Sequence, residues 1–173
     1  MGKSSQRVRP SWCSLVGSGI AFVVATVWLL LTAPGQLPSR FDESGEILDW
    51  VGLAQFVTVT SAWAVGVALV CGGARWYIPR ISNRVLNVIG PQSDYWARPE
   101  NRGEFDTRFI GDLEWLGVLI TLIAVEVTVL SGINAAGVRV PFWIMPTTTV
   151  SLLLSGLGYA GYVVHAGRYR PPA

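Results

Sequence analysis

The chain of 173 residues is long enough for one or two soluble domains or for one small helical bundle. Hydrophobic residues make up 51% of the chain and charged residues only 14%, whereas about 25% of the residues in a soluble domain are charged. This scarcity of charge favours a membrane protein, and a formal net charge of +2 without a dense basic run argues against a nucleic acid partner.

Four stretches of the chain are long and apolar enough to cross a bilayer, which requires about 20 residues. In hydrocarbon every backbone amide must be hydrogen-bonded within its own segment, so each stretch is expected to be a helix. The fold predicted for residues 1–173 is therefore all-α, a polytopic single domain of four transmembrane helices. The predicted helices cover about residues 14–33, 51–71, 114–133 and 142–166, and a cytoplasmic loop covers residues 72–113.

The basic residues predict the orientation of these helices, because the cytoplasmic loops of membrane proteins are enriched in Lys and Arg. Of the 13 basic residues, only Arg40 and Arg139 lie in the loops that follow the first and third helices. The remaining 11 (13 − 2) precede the first helix, lie in the loop 72–113 or follow the fourth helix. This asymmetry predicts that both termini are cytoplasmic and that residues 34–50 form an outer loop.

The predicted cytoplasmic loop contains three features. Residues 79–89 have apolar side chains at helical spacing, which predicts a short amphipathic helix at the inner leaflet. Pro99 is typical of a first helical turn, so residues 100–113 could extend the third helix into the cytoplasm. Between them lies a segment that we interpret as an interfacial aromatic anchor and a candidate partner surface, comprising Asp94, Tyr95, Trp96 and Arg98.

The outer loop is the first candidate binding site. Its acidic residues Asp42, Glu43, Glu46 and Asp49 lie close to Gly45, a residue that permits a tight turn. Carboxylates grouped in this way could bind calcium or a cationic peptide. A solvated turn that connects two helices would explain the same residues, and the spacing is not that of an EF-hand.

A carboxylate inside the third predicted helix, Glu126, is the second candidate site, because an ionisable residue within a membrane segment is costly and marks function by default. At the same depth on the other helices lie Thr26, Thr58 and either Thr148 or Thr149, which predicts a polar layer. The layer could bind a ligand or carry a proton. Alternatively, the threonines bond their own helix backbones and Glu126 faces a partner subunit.

The outer loop contains a run of residues with a recognisable pattern: Leu37, Pro38, Arg40, Phe41, Asp42, Gly45 and Asp49. This run resembles the leucine-proline-x-histidine-phenylalanine loop of a bacterial family of small membrane proteins of unknown function, a loop that also occurs in SdpI-type toxin-immunity proteins. Arg40 stands where the family usually has histidine, and Asp42 stands where asparagine is common. The cytoplasmic residues 94–102 are similar to a second motif of that family.

The resemblance implies a function, since SdpI-type proteins confer resistance to a secreted peptide toxin and take part in signalling by binding rather than by catalysis. It implies a multi-pass, non-enzymatic protein of the bacterial inner membrane that binds a peptide, lipid or protein partner at the outer surface. No catalytic triad or phosphate loop can be assembled from the sequence, and neither a cofactor nor a metal is predicted. Stripes of small residues on the helices leave open the alternative of a homo-oligomer or an accessory subunit of a larger membrane complex.

Overall fold

The computed structural model of the protein describes residues 11–41, 47–82, 93–138, 140–141, 143–165 and 169. Within these ranges the chain is mostly helical, and a short two-stranded sheet interrupts the helices once. The elements in chain order are α1 (Trp12–Thr32), β1 (Gln36–Phe41), β2 (Ile47–Gly52), α2 (Leu53–Val67), α3 (Ala74–Tyr77), α4 (Ser93–Trp96), α5 (Pro99–Ala135) and α6 (Ile144–His165).

Three helical segments of the described chain are long and apolar enough to cross a membrane, which confirms the predicted helical membrane character. They are α1, α5 and the continuous run Leu53–Arg80. In that run a π-helical turn (Ala68–Gly72) joins α2 to α3, and a 3₁₀ turn (Ile78–Arg80) follows. The fourth predicted segment is also helical, as α6, but it is not among these three.

The structure corrects the predicted boundaries of the second and third helices. The second helical run continues to Arg80 instead of ending at residue 71. The third helix begins at Pro99, fifteen residues before the predicted start at Glu114 (114 − 99 = 15), so the helical extension that the sequence allows for residues 100–113 is present. Most of the amphipathic helix predicted at 79–89 lies outside the described residues.

The outer loop is an antiparallel hairpin, so the all-α prediction is wrong for this segment. Strand β1 pairs with β2 from Gln36 opposite Gly52 to Phe41 opposite Ile47. At the base of the hairpin, Leu53 N–H donates to the carbonyl of Gly35 at 3.0 Å, which joins the sheet directly to the start of α2. The residues on which the predicted calcium site and the alternative solvated turn depend, 42–46, lie outside the described residues.

Helix α5 is the central element of the bundle, and α1 runs parallel to it. A Cβ atom added at Gly117 would lie 2.9 Å from Leu15 Cδ1, and one added at Gly132 would lie 3.1 Å from Leu29 Cδ1. Residue numbers thus increase in the same direction along both helices. The two glycines allow this close approach because any side chain there would occupy the space of its neighbour.

The other two long segments run antiparallel to α5. Cys71 of the second helical run lies against Gly117. Helix α6 follows α5 from Thr148, which contacts Glu126, to Tyr159, which contacts Asp112. The bundle has two ends: the hairpin end carries β1 and β2, and the opposite end carries α3, α4 and the first turns of α5.

The turn between α5 and α6 begins with a left-handed glycine, Gly137, at a φ of 80°. Such a residue commonly follows the last turn of a helix, because glycine has no Cβ to clash in this conformation. The Val138 N–H reaches back to the carbonyl of Ile133 at 3.3 Å, and Asn134 accepts from the Val140 N–H at 3.2 Å. These bonds reverse the chain at the hairpin end.

Candidate functional site

The two strands of the hairpin differ in the burial of their apolar side chains. Leu37 in β1 is completely buried, and Pro38 beside it is also buried. In β2, by contrast, Leu48 is 65% exposed and Trp50 is 51% exposed, and Ile47 is exposed as well. Strand β1 thus fastens the hairpin to the bundle, while β2 presents large apolar side chains on its surface.

Two irregularities in the pairing shape the exposed strand. The register shifts once between Pro38 and Arg40, and again between Arg40 and Phe41, where Leu48 has no direct partner opposite it. Bulges of this kind twist a strand locally and redirect a side chain. Arg40 and Asp49 are opposite each other in the backbone register. The remaining predicted residues of this site, Asp42, Glu43, Gly45 and Glu46, lie outside the described residues.

Glu126 and the threonines of α6 come together as the sequence predicts. Thr148 Oγ1 donates to Glu126 Oε1, and Thr149 Oγ1 lies 3.5 Å from both carboxylate oxygens. Glu126 is partly buried between α5 and α6. It lies nine residues from Ala135, the end of α5 (135 − 126 = 9), which corresponds to about 14 Å along the helix axis.

The other two threonines of the predicted layer are not among the recorded partners of Glu126. Thr58 is exposed and donates to the carbonyl of Ala54 in its own helix at 2.8 Å. Thr26 has a buried hydroxyl oxygen with no hydrogen-bond partner in the part of the chain that the structure describes. Among the described residues, the polar contacts of Glu126 therefore connect only α5 and α6, and they do not extend to α1 and α2 as the predicted polar layer requires.

A second buried carboxylate of α5, Glu114, is not among the site residues that the sequence predicts. It is only 1% exposed. Arg75 Nε donates to Glu114 Oε1 at 2.5 Å and Arg75 Nη2 to Oε2 at 3.3 Å, and Ser11 Oγ donates to Oε2 as well. The Arg75 guanidinium carbon lies 5.5 Å from the centre of the Trp12 ring, within the range of a cation–π interaction.

A signal for this ion pair was present in the sequence. Arg75 follows the second apolar stretch directly, and Glu114 is the first residue of the third. Consecutive membrane helices are antiparallel, so the end of one stretch lies near the start of the next. Opposite charges at these two positions therefore predict an ion pair at the membrane boundary.

In the segment with Asp94, Tyr95, Trp96 and Arg98, Trp96 is part of the protein interior, so the interpretation as an interfacial anchor is wrong for this residue. The Trp96 ring is only 3% exposed, and its Nε1–H donates to the carbonyl of Tyr169 at 2.7 Å. The rings that contact Trp96 or each other in this cluster are Tyr95, Phe105, Phe109 and Tyr169. Asp94 and Arg98 are exposed, so these two residues remain candidates for contact with a partner.

Polar contacts on α5 secure the rest of the opposite end. Arg102 pairs with Asp106 at 2.7 Å and donates from Nη2 to the carbonyls of Ile78 and Ile81 at 3.0 and 3.1 Å. These carbonyls end the second helical run, where a helix leaves its acceptors unsatisfied. Six residues beyond Asp106 (112 − 106 = 6), Asp112 accepts hydrogen bonds from two tyrosines of the C-terminal region, Tyr159 at 2.6 Å and Tyr169 at 2.5 Å.

Within the described ranges, no group of three His, Cys, Asp or Glu residues could hold a metal ion. Comparison of the chain with protein family models, with curated proteins and with solved structures finds no significant match. The basis for a functional assignment is therefore the chemistry of the hairpin and of the two carboxylates Glu114 and Glu126.

Proposed function

We propose that the chain is a non-enzymatic interaction protein of a bacterial inner membrane that recognises a peptide, lipid or protein partner at the outer surface through its hairpin, in the manner of SdpI-type proteins. In this proposal four helices cross the membrane, both termini are cytoplasmic, and the hairpin end faces outward.

The position of α6 supports the fourth crossing. Its 22 residues extend over about 33 Å, close to the thickness of a hydrocarbon core. It runs along α5 between the contacts of Thr148 with Glu126 and of Tyr159 with Asp112. Its leucines Leu153, Leu154 and Leu157 are exposed on the surface of the bundle. In a bilayer these side chains contact lipid, whereas in water they would form a costly apolar surface.

The exposed strand of the hairpin is the observation that carries the proposed recognition role. Leu37 is buried, so the hairpin is held in a defined position on the bundle, and little conformational entropy has to be lost when a partner binds. Trp50 and Leu48 then present apolar area to that partner. Trp is enriched among the residues that dominate binding energy, because it buries a large ring and can still donate a hydrogen bond.

Site-specific photo-crosslinking in intact native membranes tests this role. A photoreactive amino acid at Leu48 should give a discrete adduct that Trp50→Ser abolishes, because both residues belong to the same exposed strand. The matched control has the photoreactive residue at Leu157, which is equally exposed but lies on α6. No adduct at Leu48, or an adduct that Trp50→Ser leaves unchanged, would contradict a binding role of the hairpin.

The same experiment separates this role from that of an accessory subunit. The apolar surface of α6, which packs mainly on α5, favours lateral association with another membrane protein. A stoichiometric protein adduct at Leu157, without one at Leu48, would support this alternative. The proposed orientation has its own test, because a cysteine at Asp49 should react with a membrane-impermeant maleimide in intact cells and one at Asp94 should not.

A further inference from the structure

A lateral cleft between α1 and α2 lies outside the sites described above. It has a volume of about 600 Å³, within the range of small-molecule pockets. The cleft is lined along α1 from Leu15 to Val24 and along α2 from Ser61 to Ala68, and α5 contributes Thr121. All but two of the lining residues are apolar or glycine, and the Thr121 hydroxyl donates to the carbonyl of Gly117 in its own helix.

Beyond one end of the cleft lies the polar cluster at the opposite end of the bundle. Leu15 and Val16 form its limit on α1, and Trp12 lies one helical turn further on. Ala68 forms its limit on the second helical run, and Arg75 lies about two turns further on. Because Trp12 and Arg75 contact each other, they stand together beyond the mouth of the cleft.

The guanidinium at this mouth is oriented by the protein but not covered by it. Its Nε and Nη2 atoms bond the buried Glu114 carboxylate, and the Arg75 side chain remains 47% exposed. The outer edge of the guanidinium therefore remains available to an anion, since an Arg side chain has five N–H donors and the carboxylate accepts only two of them. Planar guanidinium groups of this kind bind phosphate with two parallel hydrogen bonds.

We propose that the cleft is a binding site for one anionic glycerophospholipid of the adjacent leaflet, with an acyl chain between α1 and α2 and the phosphate on Arg75. The apolar lining suits a hydrocarbon chain, and the cation at the mouth supplies the matching charge at the level of the headgroups. Trp12 and the π-helical turn Ala68–Gly72 complete the mouth, and irregular turns of this type often occur at functional sites. This site is independent of the hairpin and of its proposed role.

Two glycines of α1 offer a blocking variant and a matched control. Gly19 lines the cleft, and a Cβ atom added there would meet nothing within 4 Å, so Gly19→Leu places its side chain in the cleft without disturbing the bundle. Gly17 has the same free space but does not line the cleft. Gly17→Leu thus gives the same gain in helix propensity without occupying the site.

The test titrates the delipidated full-length protein with dioleoyl phosphatidylglycerol and with dioleoyl phosphatidylcholine, and counts bound lipid by native mass spectrometry. We expect one equivalent of phosphatidylglycerol to bind, and to bind about tenfold more tightly than phosphatidylcholine. Gly19→Leu should weaken its binding by about tenfold or more, through lost contact with the chain, whereas Gly17→Leu should bind like the parent protein.

Arg75→Lys tests the headgroup contact separately. Lysine keeps the positive charge beside Glu114, so the bundle should remain folded, but it loses the planar edge that faces the lipid. Because both lipids carry a phosphate, the binding of both should therefore weaken, by about tenfold for phosphatidylglycerol, while the preference for the anionic headgroup remains. Equal binding of the two lipids to the parent protein would overturn the proposed selectivity for an anionic headgroup, and unchanged binding of phosphatidylglycerol by Arg75→Lys would overturn the proposed phosphate contact. Unchanged binding by Gly19→Leu would overturn the proposed position of the chain.

Discussion

Two carboxylates on α5, twelve residues apart, have opposite surroundings (126 − 114 = 12). Glu114 is completely enclosed and is bonded by Arg75 and Ser11. Glu126 is partly exposed, and its recorded partners among the described residues are the hydroxyls of Thr148 and Thr149. A buried charge is tolerated only when an opposite charge and hydrogen bonds compensate its lost hydration. Glu114 has that compensation and serves the structure, whereas the recorded donors to Glu126 are uncharged hydroxyls.

The largest effect is expected from removing the cation of the buried pair. Arg75→Ala leaves the enclosed Glu114 carboxylate without its cation. Breaking a fully buried pair costs about 3–5 kcal/mol, and because the Arg75 side chain is 47% exposed, the loss here should be about 2–3 kcal/mol. Unfolding of the purified protein in mixed micelles, followed by circular dichroism against denaturant, measures this loss. The double variant Arg75→Met/Glu114→Leu should recover most of the stability, because it removes both charges. If Arg75→Ala unfolds at the same denaturant concentration as the parent protein, the pair does not stabilise the fold.

The packing around Glu114 should be almost as sensitive as the ion pair. One turn further along α5, a Cβ atom at Gly117 would lie 2.7 Å from the Cβ of Cys71, so Gly117→Ala forces the helices apart at a cost of about 1–3 kcal/mol. Gly158→Ala is the matched control, because a Cβ atom there meets nothing within 4 Å. It should stabilise the protein by up to about 1 kcal/mol. Equal effects of the two substitutions in the same unfolding assay would show that helix propensity, and not close packing, decides the outcome.

The contrast between the two carboxylates also shows what could be predicted from the sequence. The helices were predictable because long uncharged stretches have few alternatives in a bilayer, and the contact of Glu126 with Thr148 followed from counting depth along two antiparallel helices. Glu114 cannot be predicted from its depth in the membrane, because it is the first residue of the third apolar stretch and a charge at that position marks only where the stretch begins.

The hairpin and the buried Trp96 could not be predicted in the same way. Strand pairing in β1 and β2 depends on the burial of Leu37 against the bundle, which is a tertiary contact that leaves no periodic pattern in six residues. A tryptophan near charged residues is as typical of a membrane interface as of a small core. Only its contacts with Phe105 and Tyr169, which are distant in sequence, distinguish the two.

A smaller effect is expected at Asp112, a third carboxylate of α5 at the same end as Glu114. Tyr159→Phe removes the hydroxyl that donates to Asp112 at 2.6 Å, while Tyr169 still donates to the other oxygen. The loss should be about 1 kcal/mol, typical of a single hydrogen bond, and should appear as a shift of the same unfolding transition. Tyr162→Phe provides the control, since Tyr162 is exposed on the same helix and should unfold like the parent. A loss of several kcal/mol for Tyr159→Phe would mean that Asp112 is as dependent on its donors as Glu114 is on Arg75.

The smallest effect is expected at Glu126, and it is the one that distinguishes the two carboxylates. Glu126→Gln preserves an oxygen acceptor for Thr148 while it removes the charge, and hydrogen bonds between membrane helices contribute only about 0.6 kcal/mol on average. The unfolding free energy should therefore change by less than about 1 kcal/mol. Glu114→Gln in the same assay should be more destabilising, because it leaves Arg75 without its charged partner. A loss at Glu126 as large as that of Arg75→Ala would imply a cation next to Glu126. The carboxylate would then stabilise the fold in the same way as Glu114, and a role in binding a ligand or a proton would lose its physical basis.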